Sequence, residues 1–228
     1  LNKLRGAEIR VRRATAGEPF LPLGEHAQPV KLSPADLVIA DAERPVALAG
    51  VKGGADSSVD DTTTDILLEA ATFSPTLVRH MSRRHQIASD SSKRFERGVH
   101  PASIDAAAER LAWLILQTAG GELCSGVIEA SGPMPAPRTV AMRPARCRAL
   151  LGIDLPDADM VKSLAALGFA PTKQGDALLC TVPPQRMDIE REVDLIEEVI
   201  RLLGTDRLPV GDSIRIRTAS PDLKVFAA

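Results

Sequence analysis

Residues 131–137 read SGPMPAP, three prolines and one glycine in seven positions. Proline fixes φ and removes a backbone donor, so neither a helix nor a central strand crosses such a stretch. The chain is therefore expected to fold as two units, 1–130 and 138–210, with 131–137 as a linker and 211–228 as an extended tail toward further domains. A chain of 228 residues is long enough to bury its cores without staples.

Composition matters where it excludes something. At 44% hydrophobic and 25% charged, the chain is neither disordered nor fibrous. No apolar run reaches the ~18 residues that a membrane helix needs. Cys124, Cys147 and Cys180 have neither metal-ligand spacing nor an even count, and read as small buried residues of a reducing compartment. The opening LNKLRGAEIRVRR has no signal-peptide core and no initiator Met, and reads as the interior of a longer cytoplasmic protein. One Trp, five Phe and no Tyr leave few rings for stacking single-stranded bases. The net charge of −2 hides segregation: residues 79–100 and 138–148 are basic, whereas 56–69 carry five acids and no base. That pattern can orient a polyanion, or it is a solvated surface.

The fold class read from the pattern is α+β: a larger mixed unit, then a smaller one with winged-helix-like character. In the first unit, 8–14 alternates as a strand, 37–41 and 45–50 form a hairpin, and 65–71 (DILLEAA) is a further strand. Ser74-Pro75 starts a helix to about residue 85, and a second helix over 101–118 carries Ile104, Ala108, Leu111 and Ile115 on one stripe. Met81 and Trp113 read as core, His80 and His85 as exposed or capping. In the second unit, 139–143 and 177–182 are strands and 145–152 is a helix closed by Gly152. Asp157 caps the next helix, and 192–203 is a helix with Val193, Ile196, Ile200 and Leu203 at helical spacing.

No standard catalytic signature is present. Three features nevertheless carry possible chemistry. The glycines of GVKGG (50–54) permit close approach of a ligand, or simply a tight turn. Glu69 ends the apolar run ILLE, where alternation turns it with Leu67 and away from Leu68. A half-buried carboxylate there needs a donor, supplied by an arginine or by a ligand hydroxyl. Asp194, Glu197 and Glu198 stand at i, i+3 and i+4, with Asp188 just ahead of their helix. They suit a hard cation such as Mg²⁺, or form a solvated face in which Glu197 pairs with Arg201.

The segments LAGVKGGADSSVDDTTTDILLEAATFSP (48–75) and SDSSKRFERGVHP (89–101) closely resemble the beta subunit of bacterial phenylalanyl-tRNA synthetases. There the text runs roughly LAGVMGG, then LLESA-F-P, then TDAS-RFERGVDP. LLG, LGF, P-R-DI and DLIEEV-R--G in the second unit match the domain that follows in that family. The resemblance implies an editing module that hydrolyses tRNA mischarged with tyrosine, in which Ala49, Gly50 and Gly53 line a pocket and Glu69 recognises the tyrosine hydroxyl. Ser89 and Ser91 fall on the family's Thr and Ala of TDAS, Lys52 on an apolar residue, and His100 on an Asp. The family's HAFD segment, whose His contributes to editing, would precede Leu1. Also implied are Mg²⁺ on Asp188, Asp194, Glu197 and Glu198 in the assembled enzyme, ATP as substrate of the partner catalytic subunit, tRNA binding, and an alpha2beta2 heterotetramer. The competing reading is a non-catalytic scaffold for tRNA and subunit assembly; a metal-dependent hydrolase would rest on the carboxylates alone.

Overall fold

The structure, a computed structural model, describes residues 1–6 and 8–211. The tail expected from residue 211 thus lies, after its first residue, outside the described residues. The chain divides into two compact units, Leu1–Pro137 with Pro184–Met187, and Arg138–Pro183 with the residues from Asp188 onward.

The first unit is built on an antiparallel sheet in the order β1-β4-β5-β6, comprising β1 (Arg10–Arg13), β4 (Leu37–Ala40), β5 (Pro45–Leu48) and β6 (Lys52–Gly53). A ribbon of β2 (Pro19–Phe20) and β3 (Val30–Lys31) lies in the sequence between β1 and β4. The β4–β5 hairpin follows from two apolar runs around Asp41, whose buried carboxylate accepts from Arg5 N, Glu43 N and Arg44 N. Burial pushes that carboxyl up, but these N–H bonds offset it and hold it below the usual range. Helix α1 (Pro75–Arg84) begins at proline as expected, although Ser74 makes no side-chain capping bond. Val78 and Met81 of α1 join Phe20, Leu32, Val38, Leu48 and Val51 in the core.

After α1 come α2 (Asp90–Phe95), a 3-10 turn (Pro101–Ser103) and α3 (Ile104–Ala119). Three expectations change here. Residues 65–71 form no strand, because no sheet edge among the described residues pairs with them. No residue of α3 is fully buried, so its stripe is not a core face. Trp113 is exposed, with the Arg110 guanidinium 4.2 Å from its ring centroid.

The second unit packs three helices with a sheet in the order β7-β9-β8. Its elements are β7 (Thr139–Met142), α4 (Pro144–Leu151), α5 (Asp157–Ala166), β8 (Ala170–Gln174), β9 (Ala177–Thr181) and α6 (Glu192–Leu203). The expected winged-helix likeness goes no further than this strand-helix-helix-strand-strand order. Gly152 closes α4 at φ 70°, while α5 takes Pro156 as its cap, leaving Asp157 to pair with Arg148 at 2.8 Å. Strand β8, which sequence reading missed, contains Pro171; a proline is tolerated there because β8 is an edge strand. The buried face of α6 is Leu195, Ile196, Val199 and Ile200, whereas Val193, expected on that face, is exposed. Cys147 and Cys180 are buried, and desolvation pushes each thiol up to about 11; Cys124, expected to be buried, is exposed.

Candidate functional site: a cavity in the first unit

The turn from Leu48 to Val51 closes with Val51 N donating to Leu48 O at 2.9 Å. Gly50 sits at φ 69°, a left-handed conformation that favours glycine. A Cβ there would stand 2.8 Å from Phe73 and 3.0 Å from Val78. Both facts require glycine. Gly50→Ala is expected to destabilise the first unit by about 1–3 kcal/mol, from positive-φ strain plus overpacking. An unchanged denaturation midpoint for that unit would show that Phe73 gives way freely.

Helix α2 holds the same loop from the other side. Ser89 caps α2 by accepting from Ser92 N at 2.9 Å, and its hydroxyl donates to Val51 O at 2.5 Å. Ser91 Oγ donates to Gly50 O at 3.0 Å. The two hydroxyls thus tie α2 to the glycine loop. Phe73 and Phe95 meet edge to face, with centroids 5.1 Å apart. His100, whose replacement of an acid had no rationale in the sequence, accepts from Ala102 N through Nδ1 at 3.1 Å. It performs the capping task that a carboxylate would perform.

These pieces enclose a cavity of about 600 Å³, a size suited to a small ligand. Of the expected pocket residues, Gly50, Gly53, Glu69, Ser89 and Ser91 line it. Ala49 does not: it is fully buried, and its N–H donates to Leu37 O at 3.0 Å. A Cβ on Gly53 would meet nothing within 4 Å, so that glycine leaves room rather than avoiding a clash. No local sequence signal marks Phe73, Phe95 and Val99 as lining residues, and the stripe on α3 faces this cavity through Ile104 and Leu111.

Among the described residues, Glu69 and Lys52 are the charged groups on the cavity wall. Glu69 is exposed, yet partial desolvation by the surrounding protein raises its carboxyl above the ordinary value. No arginine meets it among the described residues, which removes the internal ion pair as its partner. An acceptor with no protein partner on an otherwise largely apolar wall favours ligands that bring a donor.

The carboxylates of α6 take separate tasks. Asp194 caps α6, accepting from Glu190 N at 3.0 Å and Arg191 N at 2.7 Å, and these bonds lower its pKa. Glu198 is buried and pairs with Arg201, which sequence reading gave to Glu197; Glu197 is exposed. Among the described residues no group of three or more His, Cys, Asp or Glu is arranged to hold a metal, so this geometry does not fit a preformed magnesium shell. Asp194→Ala is expected to lower the stability of the second unit at neutral pH. Because the folded pKa is depressed, that contribution is present above the unfolded value and disappears as pH falls through the folded one. Equal stability of variant and parent at neutral pH would show that the cap is dispensable.

Fold and cavity together define an α+β unit that carries a ligand-sized cavity, followed by a second small α+β unit. Residues 1–120 match the B3/4 domain family and residues 140–205 the tRNA synthetase B5 domain family. The chain is 41% identical over 225 residues to the phenylalanine–tRNA ligase beta subunit of Geobacter sulfurreducens, covering 98% of this chain and 27% of that protein. It is 44% identical over 189 residues to the corresponding subunit of Rhodopirellula baltica, covering 83% of this chain and 28% of that protein. The chain belongs to the phenylalanyl-tRNA synthetase beta-subunit family and carries its B3/4 and B5 domains. It spans about a quarter of the length of the curated relatives it matches. A weaker likeness, at TM-score 0.42 and 13% identity, to an N-terminal fragment of the beta subunit from Pyrococcus horikoshii covers 89% of this chain and 57% of that one, and adds nothing to the assignment. Among the described residues no helix is long and apolar enough to cross a membrane.

Proposed function

We propose that the first unit proofreads, hydrolysing tRNA that carries tyrosine in place of phenylalanine, within a ligase that joins phenylalanine to its tRNA using ATP. The observation that carries this reading is the desolvated, unpartnered Glu69 carboxylate on the cavity wall. A phenylalanine ring leaves that acceptor unsatisfied, whereas a tyrosine hydroxyl donates to it, and a site built on such a bond discriminates strongly. Gly50 and Gly53 keep the wall low enough for a ring, and Ser89 and Ser91 hold the loop that presents it.

Synthesis belongs to an alpha subunit, with which this chain assembles as alpha2beta2 around tRNA in the cytoplasm. Magnesium binding through Asp188, Asp194, Glu197 and Glu198 would require those side chains to rearrange on assembly, and no step is routed through it. The test is to present tyrosyl-tRNA and phenylalanyl-tRNA to the full-length protein with its partner subunit. Faster deacylation of the tyrosyl form is expected. Equal rates for both, at the level of spontaneous ester hydrolysis, would reduce the chain to a scaffold.

A further inference from the structure

The cavity has a second charged end. Lys52 lies on β6 beside Gly53 and lines the same cavity as Glu69. Its side chain makes no hydrogen bond or ion pair among the described residues, and no ion pair joins it to Glu69. With no ion pair between them, the Lys52 ammonium and the Glu69 carboxylate stand apart on the same wall. Between them the lining is largely apolar, with Ile39, Leu48, Phe73 and Phe95. A half-buried ammonium with no protein partner on such a wall favours an anion.

We propose that Lys52 is the phosphate subsite of this cavity, holding the phosphodiester next to the ribose that bears the amino acid. The proposal rests on the editing reading, and ester chemistry then selects the anion. An amino acid esterified to a ribose has lost its carboxylate, so the nearest negative charge it can bring is the phosphate of its own nucleotide. Glu69 would read the side chain and Lys52 the nucleic acid, so that only a substrate with both is held at two points. A free amino acid engages Glu69 without that second anchor.

The test uses hydrolysis-resistant ligands on the full-length protein: the 3′-tyrosylamide of 3′-amino-3′-deoxyadenosine, and the same compound with a 5′-phosphate. The phosphate is expected to tighten binding about tenfold. Lys52→Met should abolish that ratio, Lys52→Arg should keep most of it, and added salt should erode it in the parent protein. A ratio that survives in Lys52→Met, or no gain from phosphate in the parent, overturns the proposal. So does a Lys52→Met variant that weakens binding of free tyrosine while leaving the phosphate gain intact, since the lysine then serves a carboxylate. Deacylation of tyrosyl-tRNA is read separately. A preserved phosphate gain without deacylation removes the editing reading and keeps the subsite; deacylation with no phosphate gain does the reverse.

Discussion

Glu69→Ala is expected to lower kcat/KM for deacylation of tyrosyl-tRNA by about a hundredfold, the worth of one hydrogen bond to a charged acceptor. The already slow reaction with phenylalanyl-tRNA should change little, because phenylalanine makes no use of the carboxylate. Glu69→Gln separates charge from shape: the amide oxygen still accepts, so its loss should be smaller. Stability should move the opposite way. Desolvation raises the Glu69 carboxyl, so the folded state binds that proton more tightly than the unfolded chain does. The ionised group therefore costs stability above its raised pKa, and the cost fades as pH falls through it. Glu69→Gln should stabilise the first unit at neutral pH and do nothing in acid. Equal loss of activity on both substrates, together with lower stability at neutral pH, would show that Glu69 supports the fold instead.

Asp36→Ala is expected to destabilise the first unit by about 3 kcal/mol, the lower end for stripping one partner from a buried ionic group. Asp36 is fully buried at the entry to β4. One carboxylate oxygen meets Arg84; the other accepts from Ser33 N at 2.8 Å and lies 2.8 Å from His85 Nε2. The group joins the turn before β4 to the end of α1, and α1 supplies Val78 against Gly50. The estimate is at the lower end because Arg84 is partly exposed and can turn to water once released. His85, whose side chain is only 6% exposed, cannot. Asp36→Asn keeps the volume and should cost less. With two units, a single unfolding transition is ambiguous, so amide exchange in β4 and α1 is the measurement. Protection unchanged in Asp36→Ala would mean that the buried pair is replaceable by packing alone.

Asp36 and Glu69 mark opposite limits of what a sequence discloses. In the sequence Asp36 merely ends the stretch Ser-Pro-Ala-Asp, and nothing local announces a partner 48 residues away. Glu69 was singled out because an acid among apolar neighbours demands a donor. Strand alternation through 65–71 does not set its direction, since that segment pairs with no sheet edge among the described residues. Its β propensity is real, but a strand exists only through its partners. Trp113 fails for a related reason: helical spacing reports a stripe, not what covers it.

The carboxylates of α6 show the same division. Spacing placed Asp194, Glu197 and Glu198 near one another on the helix, as helix geometry alone requires. Packing then turned Leu195, Ile196, Val199 and Ile200 inward, which carried Glu198 into the interior beside Arg201, left Glu197 in water, and assigned Asp194 to the first turn as a cap.

By itself the sequence determined what short-range physics controls: the β4–β5 hairpin, the start of α1 at Pro75, the end of α4 at Gly152, and the extent of α6. Each depends on groups within a few residues, through proline φ, glycine αL geometry and hydrophobic period. Tertiary structure alone decided the cavity. Its wall is closed by Ser89 on Val51 and Ser91 on Gly50, bonds that span 38 and 41 residues. Such contacts form only after the chain has met the entropy of closing a long loop, and the core of the first unit, not any local motif, supplies that free energy.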